Sequence, residues 1–284
     1  MWACLSGAGA VLLGCSSSIR ASHDGDYERA VHAARDPGAL PSGAPLVAIT
    51  QDNDPLVWRD SDRLLMARWA RRCDIARSLQ GQPEAGLFDT EPPCAIEDRE
   101  LDRLTGVTSR TTRELWLVAE HELRGFCERL PPEQRDARLR QWLGLPPGDE
   151  KDVIVEYWVE KKDLVRPCPD ESVGTDRCVL VPSHGVSPQG PRSWRCGDTE
   201  NAPARPPAGF SSVAHWRWMC KQWQASYAGS STHYPFTGQG YTYDWAVGSQ
   251  HQGASEFVLK SGSMVELHSM TLADVYCAEH PAGL

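Results

Sequence analysis

Eight cysteines spread from Cys73 to Cys277 constrain this chain more than any other feature: Cys73, Cys94, Cys127, Cys168, Cys178, Cys196, Cys220 and Cys277. Their number is even, none forms a CxxC pair, and no Cys/His group has zinc-finger spacing. Thiols arranged in this way pair with one another rather than with a metal. Four structural disulfides are therefore expected, and with them an oxidising compartment. Sequence alone leaves on the order of a hundred connectivities open. Cys73 and Cys127, read on the apolar sides of successive helices, make one candidate pair.

Two further cysteines, Cys4 and Cys15, precede this set. An apolar run from Trp2 to Leu13 closes with Leu12-Leu13-Gly14-Cys15 and changes abruptly to Ser16-Ser17-Ser18, with no Lys or Arg before it. The run is too short to span a bilayer. Leu12 to Cys15 resembles the lipobox of bacterial lipoproteins. That resemblance implies a signal peptide of residues 1–14, cleavage before Cys15 and acylation, palmitate included, at Cys15. Several acyl chains, at about 0.8 kcal/mol per buried CH₂, hold such a protein on a membrane where one would be marginal. Ser16 rather than aspartate after the cysteine implies outer-membrane sorting, with the protein facing the periplasm or the exterior.

A hydrophobic fraction of 40% with 11 tryptophans excludes global disorder, and a net charge of −9 argues against a nucleic-acid partner. The one dense basic cluster, Arg63, Arg68, Arg71, Arg72 and Arg77, alternates with Asp62 and Asp74. It reads as the solvated face of a single helix.

The expected fold class is α+β: an N-terminal helical region, then a mixed, disulfide-stabilised α+β part with C-terminal antiparallel strands. Residues 15–50 read as a lipidated flexible tether, broken by Pro and Gly, in which a short helix from Tyr27 to Ala34 has little to pack against. Residues 51–150 read as helical. Leu65, Trp69, Cys73 and Ala76 recur at helical spacing. Thr111 to Glu114 has the form of a capping box ahead of a stripe of Leu115, Ala119, Leu123, Phe126 and Leu130. A third helix is expected over Glu133 to Leu143. Residues 151–284 form the disulfide-rich α+β region. Val153 to Val159 is β-branched and aromatic, as suits a buried strand. Ser211 or Ser212 caps a helix carrying Val213, Trp216, Cys220, Trp223 and Tyr227 on one face. Strands are expected over 240–245, 255–260 and 264–268, the last two joined by a turn at Ser261-Gly262.

Chemistry-bearing residues are densest between His233 and His268. Tyr241, Tyr243 and Trp245, with Trp216 from the preceding helix, are candidate pocket aromatics, although packing in an aromatic-rich sheet accounts for each of them as well. Glu256 stands out because it opens an apolar strand directly after Gly253, Ala254 and Ser255, where small side chains leave room beside a carboxylate. No GxSxG elbow, HExxH or P-loop occurs, and no metal or cofactor is expected. Asp170, Glu171 and Asp176 crowd the Cys168 to Cys178 loop without EF-hand spacing.

Ala254 to Leu259, followed by Met264 to Leu267, resembles the glutamate strand and closing strand of NAD-consuming ADP-ribosyltransferase-fold toxins. The resemblance implies that Glu256 stabilises the charge developing on ribose as nicotinamide leaves, that Arg166 holds the dinucleotide phosphates, and that Ser231 belongs to the serine element. NAD is then a substrate. Position 254 is alanine where arginine-modifying members carry Glu or Gln, which favours NAD hydrolysis over arginine modification. Three readings stand: a non-catalytic envelope lipoprotein that binds a ligand or another envelope or secreted protein, an NAD-cleaving enzyme, and an immunity or inhibitor lipoprotein of the periplasm.

Overall fold

A computed structural model describes residues 24–35, 44–79, 104–178, 196, 204–207, 209–227 and 234–278. Leu12 to Cys15, Cys94 and Ser231 lie outside them. Helix α1 (24–34) is followed by β1 (Arg63–Ala70), α2 (Arg72–Leu79), β2 (Thr108–Arg110), β3 (Leu115–Ala119), α3 (Glu120–Cys127), α4 (Arg135–Trp142) and β4 (Val153–Glu160). Then come β5 (Leu164–Val165), α5 (Val213–Tyr227), β6 (Tyr241–Tyr243), β7 (Gln252–Ser255), β8 (Phe257–Leu259), β9 (Met264–Leu272) and α6 (Ala273–Tyr276).

Seven strands form one antiparallel sheet in the order β2-β9-β4-β1-β3-β8-β5, and β6 pairs with β7 in a separate two-stranded ladder. The centre of the large sheet is the β1–β4 ladder, which runs in unbroken register from Arg63↔Glu160 to Ala70↔Val153. Side-chain alternation sorts its residues onto two faces. Leu64, Met66, Leu115, Leu117, Val155, Tyr157, Phe257 and Leu259 pack beneath Ile49, Leu56 and Ile75. Ala67, Trp69, Val118 and Ile154 pack on the other face beneath Leu123 of α3, Leu139 and Trp142 of α4, and Tyr276 of α6. The molecule is a disulfide-stabilised α+β fold.

Several elements differ from the sequence reading. Residues 63–70 form a strand, not a helix, because this strand is central and buried on both faces, so its apolar residues do not alternate. Leu115 to Ala119 is likewise a strand, and α3 begins only at Glu120. The apparent capping box serves the tertiary fold instead. Thr111 bonds the β8–β9 turn through Ser263 O and Lys260 O, while Glu114 accepts from Trp218 Nε1 at 2.7 Å and Gln222 Nε2 at 3.3 Å. The sheet therefore draws strands from both sides of residue 150. The arginine cluster is split between β1 and α2 and engages separate partners: Arg63 with Asp60, Arg71 with Asp74 and Arg72 with Asp152.

The segment read as a tether contributes to the core. Tyr27, Ala30 and Ala34 of α1 are buried against Tyr243 and Trp245, and Leu46 and Ile49 are buried as well. Three disulfides join Cys127–Cys277, Cys168–Cys178 and Cys196–Cys220. Cys127 thus pairs with the end of α6 and not with Cys73. Cys73 is also disulfide-bonded. The remaining elements follow the sequence: β4, the 3-10 turn Pro132–Gln134 leading into α4, and α5, whose Ser212 Oγ accepts the His215 N–H at 3.0 Å.

Candidate functional site

The junction between β7 and β8 gathers the chemistry that the sequence singled out. The small residues before Glu256 make room for backbone, not for a ligand. A Cβ on Gly253 would lie 2.1 Å from Trp142 O and 2.3 Å from Thr242 Oγ1. Ala254 is fully buried, and its N–H bonds Thr242 Oγ1 at 2.8 Å. Glycine at 253 therefore allows α4 and β6 to close directly onto β7.

Ser255 is bound on both sides. Its N–H and Oγ donate to Glu122 of α3 at 3.0 and 3.2 Å, and its Oγ accepts the Val47 N–H at 2.9 Å. Burial drives the Glu122 carboxyl up to about 7, against the opposing pull of the Ser255 bonds and the Arg166 charge. Sequence reading missed Glu122. It is a glutamate in the first turn of a helix, where a carboxylate normally faces solvent, and only the docking of α3 beside β7 removes it from water.

Glu256 comes next. Its N–H donates to Gly240 O at 2.8 Å. Strand alternation puts its side chain between Ala254 and Val258, on the face where Val258 opposes Trp116. Trp116 stacks on Trp218 of α5, with ring centroids 6.1 Å apart, and meets Phe236 edge-on at the same distance. The glutamate is half-buried. Burial alone drives its carboxyl up to about 8, with no opposing charge or hydrogen bond among the described residues. At neutral pH it keeps its proton, and an approaching cation would draw it into the ionised form.

Arg166 lies close to this turn but is turned inward. Its side chain is fully buried over the Phe257 ring at 4.6 Å. The guanidinium donates to Val47 O at 2.6 Å, Thr175 O at 3.1 Å, and to Ser172 O, Val173 O and Gly240 O at 3.4 Å. Gly240, at φ +76, is required here because a Cβ would sit 2.7 Å from Arg166 Cδ. The expected role of Arg166 on dinucleotide phosphates is thereby corrected: it braces three chain segments and offers no surface to a ligand. Burial lowers its pKa to about 10 in spite of Glu122, Asp170 and Asp176.

The candidate pocket aromatics belong to packing instead. Trp216 is buried on α5, and Tyr241 and Tyr243 are buried in β6. Trp245 donates from Nε1 to Leu145 O at 3.0 Å and meets Tyr27 edge-on at 5.6 Å. Tyr243 stacks on His251 at 5.0 Å. All four are buried, and α1 covers Tyr243 and Trp245 where a tether would have left them bare. The three carboxylates of the Cys168–Cys178 loop diverge: Asp170 accepts the Ser172 N–H, Glu171 accepts from Ser211 Oγ, and Asp176 pairs with Arg177. Among the described residues no group of three His, Cys, Asp or Glu could hold a metal ion.

A second buried carboxylate group escaped the sequence reading. Arg124 of α3 bridges Glu120 and Glu156, bonding Glu156 Oε1 at 3.0 Å, and lies 4.0 Å from the centre of the Tyr276 ring. Ser269 Oγ supplies a further bond to Glu156 Oε2 at 2.5 Å, beside the bulge of the β4–β9 ladder. The signal was present: Glu156 is the one charged residue inside an otherwise apolar strand. Its chemistry is closed, since the arginine and the hydroxyl satisfy it.

No family model, curated protein or solved structure matches the chain.

Proposed function

We propose that this protein is a lipid-anchored bacterial envelope lipoprotein that acts by binding, with Glu256 as the group that meets its ligand. The observation that carries the proposal is a half-buried carboxyl group at the β7–β8 junction, with no charged or hydrogen-bonding partner among the described residues. Structural carboxylates in cores are paired, and Glu156 in this molecule is one of them. Such a group favours a ligand that brings the missing charge or hydrogen bond, a cation above all. The disulfides agree with an oxidising envelope compartment. Nucleotide hydrolysis is less well supported, because a dinucleotide phosphate would have to compete with five carbonyl acceptors for Arg166.

The test is a thermal-shift series with primary and quaternary ammonium compounds, run on the wild-type protein and on Glu256→Gln. At least one cation is expected to raise the wild-type Tm by roughly 3 °C or more, as a ligand at many times its Kd does, and to leave the variant unmoved. Equal shifts in both proteins would remove Glu256 from the binding site. Release of nicotinamide from NAD by the wild type and not by Glu256→Gln would replace binding with catalysis.

A further inference from the structure

If Cys15 is acylated, as the proposed function holds, only Ser16 to His23 separate the lipid from helix α1. Eight residues span at most roughly 29 Å when fully extended. A folded body of this chain length is roughly 45 Å across. The leash is therefore shorter than the body it holds.

Its point of attachment is built into that body. Tyr27, Ala30 and Ala34 are buried against Tyr243 and Trp245, and Arg35 lies over the Trp223 ring at 5.5 Å. Residues 46–56 then continue into the main core through Ile49 and Leu56. Swinging α1 away would expose the aromatic surface it covers.

The Tyr27 end of helix α1 also lies toward one end of the sheet. Trp245, on which Tyr27 packs, bonds Leu145 O, and Tyr27 lies within electrostatic reach of Asp149. Both positions belong to the connection that delivers the chain to the start of β4, opposite the end of β1. At the other end, Arg63 faces Glu160, Arg59 pairs with Glu266, the Lys161 N–H bonds Asp62 O, and the Lys260 N–H bonds Asp163 O. The eight residues of β1 separate the two ends by roughly 26 Å.

We infer that the α1 end of the domain is held against the lipid headgroups, and that the opposite end, built from residues 58–63, 160–163 and 260–266, points away from the bilayer. A long flexible tether would let the domain turn any face to any partner. This short one restricts it.

The inference is tested with the acylated full-length protein in phosphatidylethanolamine/phosphatidylglycerol vesicles carrying a headgroup-linked acceptor dye. A clickable non-natural amino acid replaces either Glu28, exposed on α1, or Met264, 39% exposed at the distal end, so that no native thiol is disturbed. Energy transfer from position 28 is expected to exceed that from position 264 by at least about twofold, given a separation comparable to a strand's length. Inserting about thirty Gly/Ser residues after Ser18, which adds roughly 30 Å of root-mean-square reach, is expected to abolish the difference. Equal transfer at both positions without the insertion, or stronger transfer at 264, would overturn the orientation. Failure of a different kind marks the lipid anchor itself: if Cys15→Ala binds the vesicles as well as the parent protein, acylation is not what holds the chain.

Discussion

Two glutamates of the strand-rich part of the molecule, one inside β4 and one between β7 and β8, meet opposite fates. Glu156, in the middle of β4, is 4% exposed and shares Arg124 with Glu120, with Ser269 completing its coordination. Glu256, between β7 and β8, is less deeply buried yet has no cation and no hydrogen-bond donor among the described residues. Depth of burial does not separate these two carboxylates. Pairing does, because the desolvation of a paired charge is offset inside the fold whereas that of an unpaired one is left for a proton or a ligand to offset.

The largest effect is expected where the Glu156 knot is closed covalently. Cys127–Cys277 spans 150 residues and ties α3, which carries Arg124, to α6, which carries Tyr276. By the loop-entropy argument its removal in Cys127→Ser/Cys277→Ser costs about 5 kcal/mol. Cys168–Cys178, over 10 residues, is worth about 3 kcal/mol on the same argument. Denaturant midpoints of the two double variants check the ranking, and a smaller loss from the long bridge would refute it.

Next comes the ion cluster itself. Arg124→Gln leaves two buried carboxylates without their shared cation and is expected to lose about 3 to 5 kcal/mol at neutral pH. A urea titration at neutral pH that found a loss under 1 kcal/mol would break the contrast, because the knot would then be as dispensable as an exposed pair.

The smallest effect has the opposite sign. An unfolded glutamate titrates near 4.5, whereas the folded protein holds a proton on Glu256 up to about 8 and on Glu122 up to about 7. Between those values the folded state binds protons that the unfolded chain has released, so stability falls as pH rises from about 5 to 8. Glu256→Gln removes its share of that fall and is expected to stabilise the protein by about 2 kcal/mol at pH 8.5, with little change at pH 4.5. Melting curves at the two pH values measure it. A destabilised Glu256→Gln at pH 8.5 would mean that the carboxylate has a partner after all.

Much of the fold was legible in the chain. The β-branched run at 153–159 specified a central strand, a serine cap and helical spacing specified α5, and Gly262 at φ +84 marked the β8–β9 turn. What misled was burial on both faces. In β1 and β3 almost every side chain is buried, which erases the alternation that distinguishes a strand from a helix, and Leu, Met and Ala suit a helix equally well. The candidate site was half legible. Glu256 stood out as a carboxylate opening an apolar strand. Arg166 stood out for its resemblance to a phosphate-binding residue, and its true role depends on carbonyls from residues 47, 172, 173, 175 and 240 that no local pattern reveals.

By itself, then, the sequence determined the α+β class, the pairing of cysteines with one another, and the position of the unusual carboxylate, because composition, spacing and local propensity act over a few residues. Only the tertiary structure decided which cysteine meets which, that α1 is part of the body, and which buried charges find partners. Those outcomes depend on groups brought together from opposite ends of the chain, as Cys127 and Cys277 or Val47 and Ser255 are. Whether a charge is satisfied is a property of the space around it, and that space exists only after the chain has closed.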